Sequence, residues 1–320
     1  MLRHLGVAGA LVLTLVAAVP APATAAGFKK ASTGASITDY KWLNKSKRAF
    51  DFTVKSPSLG ASEKVRVLLP KGWKYKTKRT WPVVYLLHGG QDTYVSWTHD
   101  TKIAKLAAKW KAIVVMPEGR NGSYTNWFNG GKGGIPKWET FHMTEVYQLM
   151  EKNFHAGKNR AIMGNSSGGQ GAMTYAARYP KRFKFVASYS GILSLLTPGV
   201  PTALAYVNST NGVPDAIWGD SVKNRANWQK HDPFSLAGKL RGMKIYFSSG
   251  RGAPMPNDAG LFAEFVVGVT NDDFAERLQA LNIKYKAHVY NGGTHAWKYW
   301  WAEINKAWPL AMKAIKAGKA

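Results

Sequence analysis

Apolar residues fall along this chain in short, nearly unbroken runs separated by stretches of helical period. Trp81 to Leu87, Ala112 to Pro117 and Arg160 to Met163 lack the polar alternation of a half-exposed strand, so they predict strands buried on both faces of a sheet. Phe185 to Ser190, Lys244 to Gly250 and Lys286 to Tyr290 continue the series. Phe50 to Val54 and Lys64 to Pro70 alternate more openly and predict antiparallel edge strands leading into it. Helices are expected near Thr101 to Trp110, over Lys137 to Phe154, over Gln170 to Tyr179 and from Gly260 through Leu281. The resulting class is α/β: a mostly parallel central sheet with helices on both faces.

Three stretches break the pattern. Residues 27–49 have no clear period and many Lys and Ser, and are expected to form an irregular basic N-terminal arm. Gly119 to Gly134, rich in Gly, Asn and aromatics, is too long for a plain connection and predicts the roof of a site. Residues 192–240 lose the strand pattern and predict an inserted, partly helical region. The domain itself is placed at 50–320.

Residues 1–26 carry Arg3 and His4, an apolar run from Leu5 to Val19, then Pro20 and the small-residue segment Ala23-Thr24-Ala25, the pattern of a secretory signal peptide. The expected location is therefore secreted or cell envelope, with no transmembrane span once the signal is removed. The sequence contains no cysteine, so an exported fold of this size has to rely on packing, and thiolate metal sites are excluded. No metal or cofactor is expected. Lys and Arg number 44 against 18 Asp and Glu, a net charge of +26. Residues 27–80 alone carry fourteen basic side chains against Asp39, Asp51 and Glu63. Outside a cell such a field suits anionic wall polymers or a lipid surface rather than nucleic acid. The chain is expected to act as a monomer.

The candidate chemistry centres on Gly164-Asn165-Ser166-Ser167-Gly168, which has the Gly-x-Ser-x-Gly form of a nucleophile elbow between a strand and a helix. Ser166 is the predicted nucleophile, because a sharp turn projects its hydroxyl and small neighbours let strand and helix crowd together. His88-Gly89-Gly90-Gln91 closes the first buried strand, where glycine backbone can approach a ligand; Gly90 and Ser167 are the predicted backbone N–H donors to an oxyanion. His295, in Asn291-Gly292-Gly293-Thr294-His295 after the last strand, has the position of a general base. Asp258, Glu264, Asp272, Asp273 and Glu276 all lie where a third, acidic member could come from, and spacing does not separate them.

Lys137-Trp138-Glu139-Thr140-Phe141, the elbow, Trp218-Gly219-Asp220, His231-Asp232-Pro233 and Gly293-Thr294-His295-Ala296-Trp297-Lys298-Tyr299-Trp300 occur in order. Together they resemble the secreted mycolyltransferase (antigen 85) family of actinobacteria, within the esterase-D-like α/β-hydrolases, over residues 50–310. The resemblance implies an α/β-hydrolase fold and a serine esterase or acyltransferase acting on lipid or sugar esters through an acyl-enzyme. It implies Glu264 as the triad acid, and His88, Gln91 and Trp297 as substrate contacts. The chain departs from the family where the usual Asp-Gly-Leu-Arg is His88-Gly89-Gly90-Gln91, and where the Met after the nucleophile is Ser167. Backbone donors survive both changes; specificity for trehalose does not carry over. From a different class, a non-catalytic basic envelope- or matrix-binding protein on a hydrolase scaffold would explain the charge but leave Ser166, His295 and the acid without a purpose.

Overall fold

The computed structural model describes residues 27–44, 48–130, 135–209, 215–255 and 257–320; the signal segment at 1–26 lies outside them. Its strands are β1 (Ser36–Asn44), β2 (Ala49–Ser56), β3 (Ala61–Leu68), β4 (Trp81–Leu87), β5 (Ile113–Pro117), β6 (Ala156–Asn165), β7 (Phe185–Tyr189), β8 (Lys244–Gly250) and β9 (Lys286–Tyr290). They form one sheet in the order β1-β2-β3-β5-β4-β6-β7-β8-β9. The first three pair antiparallel, and β3 meets β5 antiparallel. From β5 through β4 to β9 every pairing is parallel.

The helices are α1 (Ser96–His99), α2 (Ile103–Ala107), α3 (Trp138–Thr140), α4 (Tyr147–Phe154), α5 (Ser167–Arg178), α6 (Val200–Ser209), α7 (Arg225–Gln229), α8 (Pro233–Leu236), α9 (Ala259–Ala280) and α10 (Trp297–Ala314). Alternate side chains of each strand feed two separate cores. Val83, Tyr85, Leu87, Ile162 and Phe247 pack with α4, α5 and α9, whereas Val84, Leu86, Met163 and Tyr246 pack with α1, α2 and α10. Burial on both faces is what made these strands read as continuous apolar runs. The protein thus has the α/β-hydrolase architecture, with α6 to α8 lying in the insertion between β7 and β8.

One boundary is corrected. The expected irregular arm over 27–49 contains β1, whose Tyr40 and Trp42 alternate toward one face. Tyr40 stacks on Phe50 with ring centroids 4.6 Å apart, and Phe28 packs on both Tyr40 and Phe154. This aromatic seam ties the segment to the main core, with Lys41 and Leu43 left facing water. The helix expected over 137–154 forms as α3 and α4 joined by a π-helical turn at Phe141–Val146. The one expected at 101–110 is shortened to α2, and α1, just before it, was outside the expectations. A final helix, α10, was outside the expectations and covers one face of β6 to β8.

Candidate active site

The strand-turn-helix at the centre of the sheet is built by exclusion of side-chain bulk. A Cβ at Gly164 would overlap the Gly168 carbonyl, and one at Gly168 would overlap the carbonyls of Leu87 and His88. Glycine at both positions lets α5 start directly against the ends of β6 and β4. Ser166 at the apex has φ 52° and ψ −126°, a conformation costly for a residue with a side chain. Its backbone N–H donates to Tyr189 O at 2.8 Å, and its carbonyl accepts from Gly169 and Gln170, so the turn is pinned on both sides.

His295 lies across from it, on the loop between β9 and α10. Ser166 Oγ and His295 Nε2 are 2.8 Å apart, and His295 Nδ1 is 2.9 Å from Glu264 Oε2. The imidazole is partly open to solvent, whereas Glu264 on α9 is 0% exposed. Glu264 does not stand alone in its burial: its Oε1 accepts from Ser190 Oγ at 2.6 Å and from the Gly250 N–H at 2.7 Å. Three donors therefore hold an otherwise costly buried carboxylate. A carboxylate only accepts, so Nδ1 carries the imidazole proton and Nε2 faces Ser166 with a free lone pair. The edge of Trp300 against His295, with centroids 5.0 Å apart at 83°, fixes the ring from below.

Of the acids left open by spacing, Asp258 is accounted for as the N-cap of α9, accepting from the Leu261 N–H at 2.9 Å. Asp272 pairs with Arg251, and Asp273 accepts from Thr197 Oγ1. Among the described residues nothing accepts from the backbone N–H groups of Gly90 and Ser167. The two residues face each other, a Cβ on Gly90 lying 3.9 Å from Ser167 Oγ. These are two candidate donors beside Ser166 for an oxygen carrying negative charge.

The flanking residues divide. His88 is corrected as a substrate contact: it is 1% exposed, and its ring is enclosed by Gly89 O, Glu118 and the Gly119 N–H. It braces the loop rather than reaching the mouth. Burial alone would raise the Glu118 carboxyl, but His88 and the N–H groups of Arg120 and Tyr94 hold it down at about 2. Gln91 sits exposed at the mouth with φ 62°, its N–H donating to Asn121 Oδ1. Trp297 stands edge-on to Trp97 and Trp300 and directs its indole N–H at Asp92 Oδ1, 3.4 Å away. His231 and Asp232 are structural: Asp232 caps α8 and accepts from the Leu195 N–H, and burial with nearby Arg178 and Lys230 pushes the His231 imidazole down to about 3. The expected roof is partly in view, with Phe128 and Asn129 hydrogen-bonded to Ile217 and Ala216 of the insertion and Tyr124 Oη donating to His88 O. Among the described residues, no group of three His, Asp or Glu side chains is placed to hold a metal ion.

Sequence reading missed Ser190, the Gly250 N–H, Asn121 and Asp92. Ser190-Gly191 at the end of a buried strand was the available signal for the first.

A profile of the Esterase family matches residues 56–310, a span that runs from the end of β2 into α10 and contains all of this geometry. The chain belongs to the Esterase family. Within it, the chain is 30% identical over 281 residues to diacylglycerol acyltransferase/mycolyltransferase Ag85B of Mycobacterium intracellulare, covering 82% of each. It is 28% identical over 328 residues to Ag85A of Mycobacterium tuberculosis, covering 97% of this chain and 90% of the relative. Among solved structures, Mycobacterium tuberculosis MPT51 (FbpC1) superposes with a TM-score of 0.67 at 24% identity, covering 87% of this chain and 99% of that one. This member of the Esterase family therefore shares its fold with MPT51.

Proposed function

We propose that the protein is an exported serine acyl-transfer enzyme acting on lipid or sugar esters, with Ser166, His295 and Glu264 as its triad. The observation that carries the reading is the connected path Ser166 Oγ to His295 Nε2 at 2.8 Å and His295 Nδ1 to Glu264 Oε2 at 2.9 Å. Ser166 Oγ attacks the ester carbonyl carbon as its proton passes to His295 Nε2. The carbonyl oxygen, now anionic, takes hydrogen bonds from the N–H groups of Gly90 and Ser167. Collapse breaks the bond to the leaving alkoxide, which takes the proton from His295, and the acyl group stays on Ser166. An incoming hydroxyl then repeats the steps in reverse, giving its proton to His295 and taking the acyl group.

Water and an organic hydroxyl are both chemically competent acceptors. Hydrolysis is favoured by the loop at His88 to Gln91, where the acceptor-holding side chains of the antigen 85 pattern are replaced and His88 is buried. Transfer is the second reading, favoured by the acyltransferase names of the relatives. Export is supported by the signal pattern of residues 1–26, and contact with anionic envelope material by the net charge of +26. The test combines turnover of a p-nitrophenyl ester with mass spectrometry after a serine-directed phosphonate. Turnover and a phosphonate adduct on the Ser166 peptide are expected, both abolished in Ser166→Ala; undiminished turnover in that variant refutes the assignment. Trials with trehalose, a glycerolipid and water as acceptors then separate transferase from esterase.

A further inference from the structure

The two ends of the parallel strands differ in character. Their C-terminal ends carry Ser166, Ser190 and Gly250; their N-terminal ends open into a cavity of about 500 Å³ between β8, β9 and the last turns of α10. Ile245, Tyr285, Leu310 and Ala314 give this cavity aliphatic and aromatic walls. Around its rim stand Lys244 at the start of β8, Lys284 on the turn before β9, Lys286 at the start of β9, and Lys313 near the end of α10. All four are exposed, and among the described residues none forms an ion pair. The segments that supply this end, 181–185, 239–245, 282–286 and 310–320, contain Lys and Arg and no Asp or Glu.

We infer that this cavity is a binding site for a single-chain amphiphile with an anionic head, a medium- to long-chain carboxylate, separate from the proposed active site. Its volume is in the range of small-molecule sites. Four lysines converging from three elements and the turn before β9 set up a concentrated positive potential, and with no acid beside them it is uncompensated. A polyanion would meet the lysines and leave the apolar walls wet; a neutral lipid would fill the walls and leave the lysines unused. A carboxylate on an aliphatic chain satisfies both. Along β8 from Lys244 to Gly250, six residues at the strand rise amount to about 20 Å, so an occupant here does not touch Ser166.

The inference is independent of the proposed catalysis, and its test reads binding alone. Purified full-length protein is titrated with 11-(dansylamino)undecanoate by fluorescence, then with competitors. Displacement by dodecanoate is expected, with dodecanol at least tenfold weaker and acetate without effect. Each methylene removed from the carboxylate should weaken binding, by about fourfold if fully buried. Lys244→Glu/Lys286→Glu, altering exposed side chains, and Ala314→Trp, filling the cavity, should each weaken the probe at least tenfold with melting temperature unchanged. Equal displacement by dodecanol overturns the proposal. So does wild-type affinity in both folded variants, which would put the probe elsewhere, including at Ser166. If ester turnover is absent altogether, this binding measurement still stands or falls on its own.

Discussion

Replacing Glu264 by glutamine tests the proposed triad at its most constrained point. The two carboxylate oxygens are not equivalent: Oε1 receives Ser190 Oγ and the Gly250 N–H, and Oε2 receives His295 Nδ1. A glutamine must turn its NH2 group toward one side. Turned toward Oε1, it would face the Gly250 N–H, a backbone donor 2.7 Å away in a fully buried site that has no freedom to become an acceptor. That donor-donor contact leaves a buried group unpaired, at about 1–3 kcal/mol. Turned toward Oε2, the NH2 faces Nδ1, and the imidazole can adapt by moving its proton to Nε2. The second arrangement wins. It places an N–H against Ser166 Oγ, and a protonated Nε2 cannot accept the serine proton. A wrong tautomer of this kind in a Ser-His-acid triad costs about 10⁴-fold in kcat, or about 5.5 kcal/mol of transition-state stabilisation. Because the fold around Glu264 keeps its donors satisfied, the melting temperature should move little. The assay is p-nitrophenyl ester turnover alongside thermal unfolding. Glu264→Gln retaining more than a tenth of wild-type kcat would refute the reasoning, as would an equal loss in Asp258→Asn, since Asp258 is used only as a helix cap.

Removing the Ser190 hydroxyl deprives Glu264 of its 2.6 Å donor, and Ser190→Gly, which also suits the φ of 52°, should lower kcat about tenfold with KM unchanged; an unchanged kcat removes Ser190 from the support of Glu264. Gly168→Ala should fail to yield folded protein, because its Cβ meets the backbone carbonyls of Leu87 and His88 rather than a side chain that can move; a soluble, active variant would show the elbow to be looser than described. Burial pushes His142 down to about 4 and His231 down to about 3, so between pH 6.5 and 5 the unfolded chain binds protons that the folded one refuses, and stability falls with pH. The pair should lose about 3 kcal/mol over that interval, read from urea midpoints; a midpoint independent of pH there counts against it. Glu118, held at about 2, adds a loss only below the ordinary carboxylate range, as pH falls from about 4.5 toward 2.

What could be read from the sequence, and what could not, follows the range of the interactions involved. Strands β4 and β8 emerge at the expected residues because burial on two faces leaves an apolar run that needs no knowledge of the partners, and β9, a half-buried edge strand, emerges at its expected residues as well. Strand β1 was hidden because it is an edge: Ile37, Tyr40 and Trp42 turn inward, but a register shift between Ile37 and Asp39 breaks their alternation, and Thr38, Asp39 and Lys41 supply the polarity of a loop. Helix α10 was obscured by Pro309 inside it and by aromatic residues that read as a motif rather than as the lining of a second core.

At the candidate site the same distinction holds. Ser166 and His295 could be singled out because local glycine chemistry surrounds each of them. Glu264 could not be separated from Asp258 by spacing, and its choice came through family resemblance. The physical difference is burial: Asp258 solves a local problem, the first free N–H groups of α9, while Glu264 is six residues further on, one and a half turns into the helix and turned inward. The partners that make its buried charge tolerable, Ser190 from β7's end and the Gly250 N–H from β8's, reach it from 74 and 14 residues away. A carboxylate so placed is recognisable only once the sheet has brought two strand ends to one helix face. His88 shows the converse error. Its position beside Gly89 and Gly90 suggested the mouth of a site, but strand alternation and the Glu118 carboxylate draw it inward, leaving Gln91 and the backbone of Gly90 as the groups that face the pocket. Substrate preference in this protein should therefore be altered by substitutions at Gln91 more than at His88, whose loss should act on stability first.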